Sequence, residues 1–178
     1  MIKTFMGCCL VLLLSIQSVA LEPLFEDDTT LLKKQKTVEH VLFEMYTDTD
    51  QGAASVFGYY FDLFFKPNAY FTTSIFGAVG GERGGYGIAA FGFGYQVPLT
   101  DRLIWDSRLV TGSGGGGGLA AGGGFAIEGH TGIACRLTPS LLFDFKLGYL
   151  TFPTGEFSTP VVQFGLSHQS YKVVLPFL

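Results

Sequence analysis

Leu141–Thr151 reads LLFDFKLGYLT, an alternation of apolar and polar residues. Phe143, Phe145, Leu147 and Tyr149 fall on one side, and Asp144, Lys146 and Gly148 on the other. Successive side chains of a strand point to opposite faces. The segment is therefore a strand with an oily face and a polar face. Its oily face is too aromatic for a sheet that meets water. Related segments recur from about Val38 to Val173, cut at intervals by turn residues. The pattern predicts an all-β chain: a closed, antiparallel, up-and-down transmembrane β-barrel of about eight strands.

Composition supports a surface that avoids water. Of 178 residues, 48% are hydrophobic and only 15% charged. Soluble domains carry about 25% charged residues. Phe is abundant (18) and Trp nearly absent (1), while Gly reaches 25. The formal net charge of −4 removes the basic footprint that nucleic-acid binding needs. The length suits one domain.

The N-terminus reads differently. Met1–Ala20 has the form of a secretory signal: Lys3, an apolar run from Phe5 to Ile16, and Ser18-Val19-Ala20 as a small-x-small cleavage site. The apolar run is shorter than the ~20 residues of a spanning helix. Cys8 and Cys9 would leave with it, so the mature chain keeps Cys135 and no internal disulfide. Residues 21–37 read as a solvated arm, in which Thr29 or Thr30 could cap a short helix over Leu31–Lys36. The barrel is assigned to residues 38–178.

Eight strands are predicted: Val38–Thr47, Ser55–Phe65, Tyr70–Val79, Tyr86–Val97, Arg102–Thr111, Leu119–Cys135, Leu141–Thr151 and Pro160–Lys172. Most approach the ~9–11 residues of a tilted membrane strand. Lys66-Pro67-Asn68, Pro98–Asp101 and Leu137–Ser140 are short, Pro-containing turns. They alternate with longer connections rich in Gly or polar residues. Short turns at one rim and longer loops at the other are expected of an outer-membrane barrel.

With the signal segment, strands such as FDFKLGYL and AAFGFGYQV, and the Pro turns together, the chain resembles the small outer-membrane β-barrels of Gram-negative bacteria, of OmpA/OmpX-like type. The resemblance covers roughly Val38 to Lys172. It implies outer-membrane lipids and the barrel-assembly machinery as partners, and a monomer. The chain departs from that type at its end: Pro176 interrupts the last alternation, and Leu178 stands where an aromatic residue is usual.

In hydrocarbon nothing solvates a charge, so the aromatic face should meet lipid. That places Phe61, Phe91, Phe93, Trp105, Phe143, Phe145, Tyr149 and Phe164 outside. Asp62, Gln96, Asp106, Arg108, Glu128, His130, Asp144, Lys146, Gln163 and Ser167 then point inward, among glycines that make room for them. An eight-stranded barrel is just wide enough to be filled by side chains. Arg108 and Lys146 are expected to pair with Asp106, Asp144 or Glu128, because a lone buried charge is costly. The two faces of Tyr70–Val79 differ too little to assign.

The candidate chemistry is sparse. Gly112–Gly118 lacks the Gly-Lys-Ser/Thr ending of a phosphate loop and suits an outer loop, a tight twist or a close backbone approach. His168 and Ser170 resemble, in spacing, the His-x-Ser pair of lipid A deacylases. Tyr171 follows where that family has Asn, and an acid would have to come from elsewhere, such as Glu128 or Glu156. Glu128-Gly-His130 offers two ligands on one face, too few for a metal, and His40 is distant in sequence. No metal or cofactor is expected.

The leading expectation is a structural or interaction protein of the bacterial outer membrane, with the polar interior as a plug. A narrow channel, a lipid A-modifying enzyme and a secreted soluble barrel with an inward aromatic face remain as alternatives.

Overall fold

A computed structural model describes residues 33–47, 53–82 and 84–174. The signal segment, most of the arm and the last four residues lie outside that set. The described residues form eight strands: β1 (Lys33–Tyr46), β2 (Ala54–Phe64), β3 (Ala69–Gly81), β4 (Gly87–Pro98), β5 (Leu103–Gly115), β6 (Phe125–Arg136), β7 (Leu141–Thr151) and β8 (Ser158–Val174). Each pairs antiparallel with its sequence neighbour, and β1 pairs with β8 from Lys33↔Val174 to Tyr46↔Val161. The sheet is a closed barrel without an edge strand. Closure satisfies the ladder of every strand internally.

Three predicted boundaries move by four residues or more. β1 starts at Lys33, so Lys33–Lys36 is strand and not the end of a helix. Pairing with the long β8 supplies hydrogen bonds that a local helix signal cannot outweigh. β6 starts at Phe125 and not at Leu119, because the intervening residues turn back repeatedly. The glycine run divides: β5 continues through Gly115, and the chain then turns with Gly116 at φ +91°.

Turns 65–68, 99–102 and 137–140 lie at the rim that carries the start of β1 and the end of β8. We call this the turn end. Thr100 Oγ1 accepts hydrogen bonds from the amides of Arg102 (3.2 Å) and Leu103 (3.0 Å), and Thr138 Oγ1 accepts from Leu141 N (3.0 Å). These hydroxyls explain why threonine sits in both turns. Longer connections occupy the loop end. There, 116–124 lies against 152–157: Glu156 N donates to Ala120 O (2.9 Å) and Gly123 N to Thr154 Oγ1 (3.2 Å).

The outer wall is apolar and the inner wall is mixed. Phe91, Phe93, Trp105, Phe143, Phe145 and Tyr149 are exposed, with Phe93 at 64%, and Phe61 and Phe164 are half-buried on the same wall. A soluble barrel with its aromatic face inward is thus reversed in this fold. Tyr70, Thr72 and Phe76 of β3 are buried, which assigns that strand's inner face.

Candidate functional site: the polar interior

The inner wall is built by the alternation along each strand. β5 contributes Asp106 and Arg108, β6 Glu128 and His130, β7 Asp144 and Lys146, and β2 Asp62. All are at most 3% exposed, and Gln96, Gln163 and Ser167 join them. All ten are buried on the inner wall. Sequence reasoning missed His40 and Glu44 of β1, which are buried on the same wall. Tyr60 and Tyr70 are also buried there.

Six of these groups close a ring of opposite charges. His40 Nε2 is 2.8 Å from Asp62 Oδ2, and His40 Nδ1 is 3.6 Å from Asp144 Oδ2. Lys146 Nζ lies 3.9 Å from Asp144 Oδ1 and 3.3 Å from Asp106 Oδ1. Arg108 Nη2 lies 3.7 Å from Asp106 Oδ2 and 3.5 Å from Asp62 Oδ2, which completes the circuit. Acid and base alternate around it, so each acid has two basic neighbours. The expected pairs of Arg108 and Lys146 with Asp106 and Asp144 are present. Among the described residues, Glu128 is instead close to His130.

Neutral donors complete the carboxylates. The Tyr70 hydroxyl donates to Asp106 Oδ1 (2.6 Å), Gln96 Nε2 to Asp106 Oδ2 (2.9 Å), and the Thr72 hydroxyl to Asp62 Oδ1 (2.6 Å). Ser167 donates to Asp144. The Arg108 guanidinium lies 4.4 Å from the centroid of the Tyr60 ring. A desolvated cation over an aromatic face gains about 2 kcal/mol. This explains two inward tyrosines: one supplies a hydroxyl, the other a π face.

Apolar residues border the polar belt on both sides. Toward the turn end lie Val38, Phe64 and Tyr70, and separately Ile104, Ala134 and Leu142. Toward the loop end a larger cluster includes Leu42, Tyr46, Tyr86, Phe152 and Phe157. Tyr46 meets Tyr86 edge-on at 5.8 Å, and Phe157 packs on both Tyr46 and Phe152. Burial pushes the Tyr86 phenol above its ordinary range.

His168 and Ser170 lie elsewhere. His168 is exposed and faces Glu39 in the β1–β8 register. The Ser170 hydroxyl is hydrogen-bonded to the Thr37 hydroxyl at 3.0 Å. Glu39 is paired with Lys172. Glu128 is sealed inside the barrel and is not brought to this pair.

A de novo designed transmembrane β-barrel is similar to this chain, with a TM-score of 0.56 at 13% identity over 78% of this chain and 98% of that one. The fold is that of a small transmembrane β-barrel. A second designed barrel, TMB2.3, gives a TM-score of 0.50 at 13% identity, covering 75% of this chain and 94% of that one. Ail, the attachment invasion locus protein of Yersinia pestis, gives 0.49 at 9% identity, covering 78% of this chain and 99% of that one. No protein-family model and no curated protein matches the chain.

Proposed function

We propose that this chain is an integral β-barrel of the bacterial outer membrane with a structural or interaction role in the envelope. One observation carries the reading: an apolar outer wall surrounds an interior closed by an ion-pair ring between apolar clusters. Such a wall is stable against lipid, and such an interior is a plug rather than a conduit. The signal-like Met1–Ala20 supports export before insertion. The partners are then outer-membrane lipids and the barrel-assembly machinery, and the barrel acts as a monomer. The exterior positions of His168 and Ser170, with Ser170 held by Thr37, favour a structural role for both over lipid A deacylation.

Membrane fractionation with heat-modifiable gel mobility tests the location. The expected result is detergent-dependent extraction and a band that shifts on boiling; a fully soluble protein overturns the reading. Planar-bilayer recording tests the plug. The wild type should be silent, and Glu128→Ala with Lys146→Ala should lower heat stability without opening a path. Lipid A mass analysis should be the same with and without the protein.

A further inference from the structure

Beside the ion-pair ring, three buried side chains converge without hydrogen-bonding one another. Glu44 comes from β1, and Glu128 and His130 come from β6; their candidate ligand atoms all lie within 4.8 Å of one another. His130 Nε2 is 3.4 Å from Glu128 Oε1 and 3.8 Å from Glu44 Oε1. Those separations are long for hydrogen bonds. They suit the edges of a coordination polyhedron. Ligands about 2.0–2.2 Å from a tetrahedral zinc ion lie about 3.3–3.6 Å apart.

Two further observations point the same way. Glu128 Oε1 and both His130 nitrogens are buried without a hydrogen-bond partner. Buried polar atoms rarely stay so. The charge balance is also uneven. In the ring, three carboxylates face three basic groups. Glu44 and Glu128 share only His130 at ion-pair distance among the described residues. Two buried carboxylates with no full cation between them are costly. A divalent ion would supply the missing charge.

We infer that Glu44, Glu128 and His130 bind a divalent first-row transition-metal ion inside the barrel. Two carboxylate oxygens and an imidazole, with no thiolate, suit zinc or manganese rather than cuprous copper. Gln163 Nε2 donates to Glu44 Oε1 (2.6 Å) and the Tyr46 hydroxyl to Glu44 Oε2 (3.3 Å). These are positioning residues: they orient the carboxylate and leave Oε1 a free lone pair. Glu128 and His130 are two apart on β6 and so share its inner face. β1 and β6 are not neighbours in the sheet. The ion therefore ties together two strands that share no ladder, and its binding contributes to folding.

The test uses the full chain, unfolded in EDTA and refolded into detergent micelles alone, with Zn²⁺, or with Mn²⁺. Elemental analysis after desalting should find about one equivalent of one of these ions per chain, with a higher unfolding temperature than the metal-free sample. Glu128→Gln and Glu44→Gln should lose both the ion and the temperature difference. Gln163→Ala should weaken binding about 10–100-fold. Heat-modifiable mobility reports whether each variant has folded. Wild type that retains neither ion, or Glu128→Gln that retains as much as wild type, overturns the inference. If the Gln variants do not fold, the metal content and metal-dependent unfolding temperature of the wild type decide it. None of these readouts depends on which membrane the barrel occupies.

Discussion

His40 and Asp62 meet at 2.8 Å although they are not opposite each other in the β1–β2 ladder, where His40 faces Tyr60 and Asp62 faces Val38. The diagonal contact places one imidazole between two carboxylates. Ser167 donates to Asp144 and also meets His40 Nδ1 at 2.5 Å. Nε2 faces Oδ2 of Asp62. His40 is thus the third basic group of the ring, beside Asp62 and Asp144.

Removing one member of a closed ring strands two others. Asp62→Ala leaves His40 and Arg108 each with one acidic neighbour and deprives the Thr72 hydroxyl of its acceptor. Breaking a buried pair from one side costs about 3–5 kcal/mol. Urea unfolding in detergent should show a loss of that size. A loss below about 1 kcal/mol, the level of an exposed pair, would show that the ring contributes little.

The outer wall makes a separate prediction. Leu109 is 62% exposed in β5, with Phe93 and Gly129 beside it in the register. On a water-facing surface, Leu109→Arg would be nearly neutral. On a lipid-facing wall near the midplane it should cost about 2–4 kcal/mol. Folding titrations into phospholipid vesicles separate the two cases.

Trp105 is a single-site reporter, because the chain has one tryptophan. It stands on the outer wall two residues into β5, close to the turn end. An amphipathic indole settles at the membrane interface. Lipids brominated near the headgroup should quench its emission more than lipids brominated near the chain ends. Strong quenching by aqueous iodide with none by brominated lipid would place Trp105 in water.

The inner wall was legible where charge and aromatic residues alternate. In β7, Asp144 and Lys146 sit between Phe143, Phe145 and Leu147, and period two assigns both faces at once. β5 reads the same way through Asp106 and Arg108. β1 does not, because its inner face mixes Val38, His40, Leu42 and Glu44 while Glu39 lies on its outer one. No period separates those sets, so His40 and Glu44 escaped notice. The tyrosines were ambiguous for a related reason: a phenol is stable either at a lipid interface or inside, where Tyr70 finds Asp106. The ring and the Glu44–Glu128–His130 cluster were legible only in part. The alternation shows the same-strand neighbours Asp106 and Arg108, Asp144 and Lys146, and Glu128 and His130. It does not show which strands bring them together across the interior, because that follows from closure and stagger rather than from local pattern.

Gly148 ties that local pattern to the interior. It faces His130 in the β6–β7 register. A Cβ at this position would lie 2.4 Å from His130 Cδ2 and 2.5 Å from Gly129 O. The first atom belongs to a side chain and the second to the backbone of the paired strand. Gly148→Ala must therefore displace the imidazole and also strain the ladder. Overpacking of this kind costs about 1–3 kcal/mol. A double-mutant cycle with His130→Ala divides the cost. In that background Gly148→Ala should become cheaper but not free, because Gly129 O remains. An unchanged cost would assign the whole effect to the backbone. A cost that vanishes would mean the ladder yields freely and the imidazole alone requires glycine.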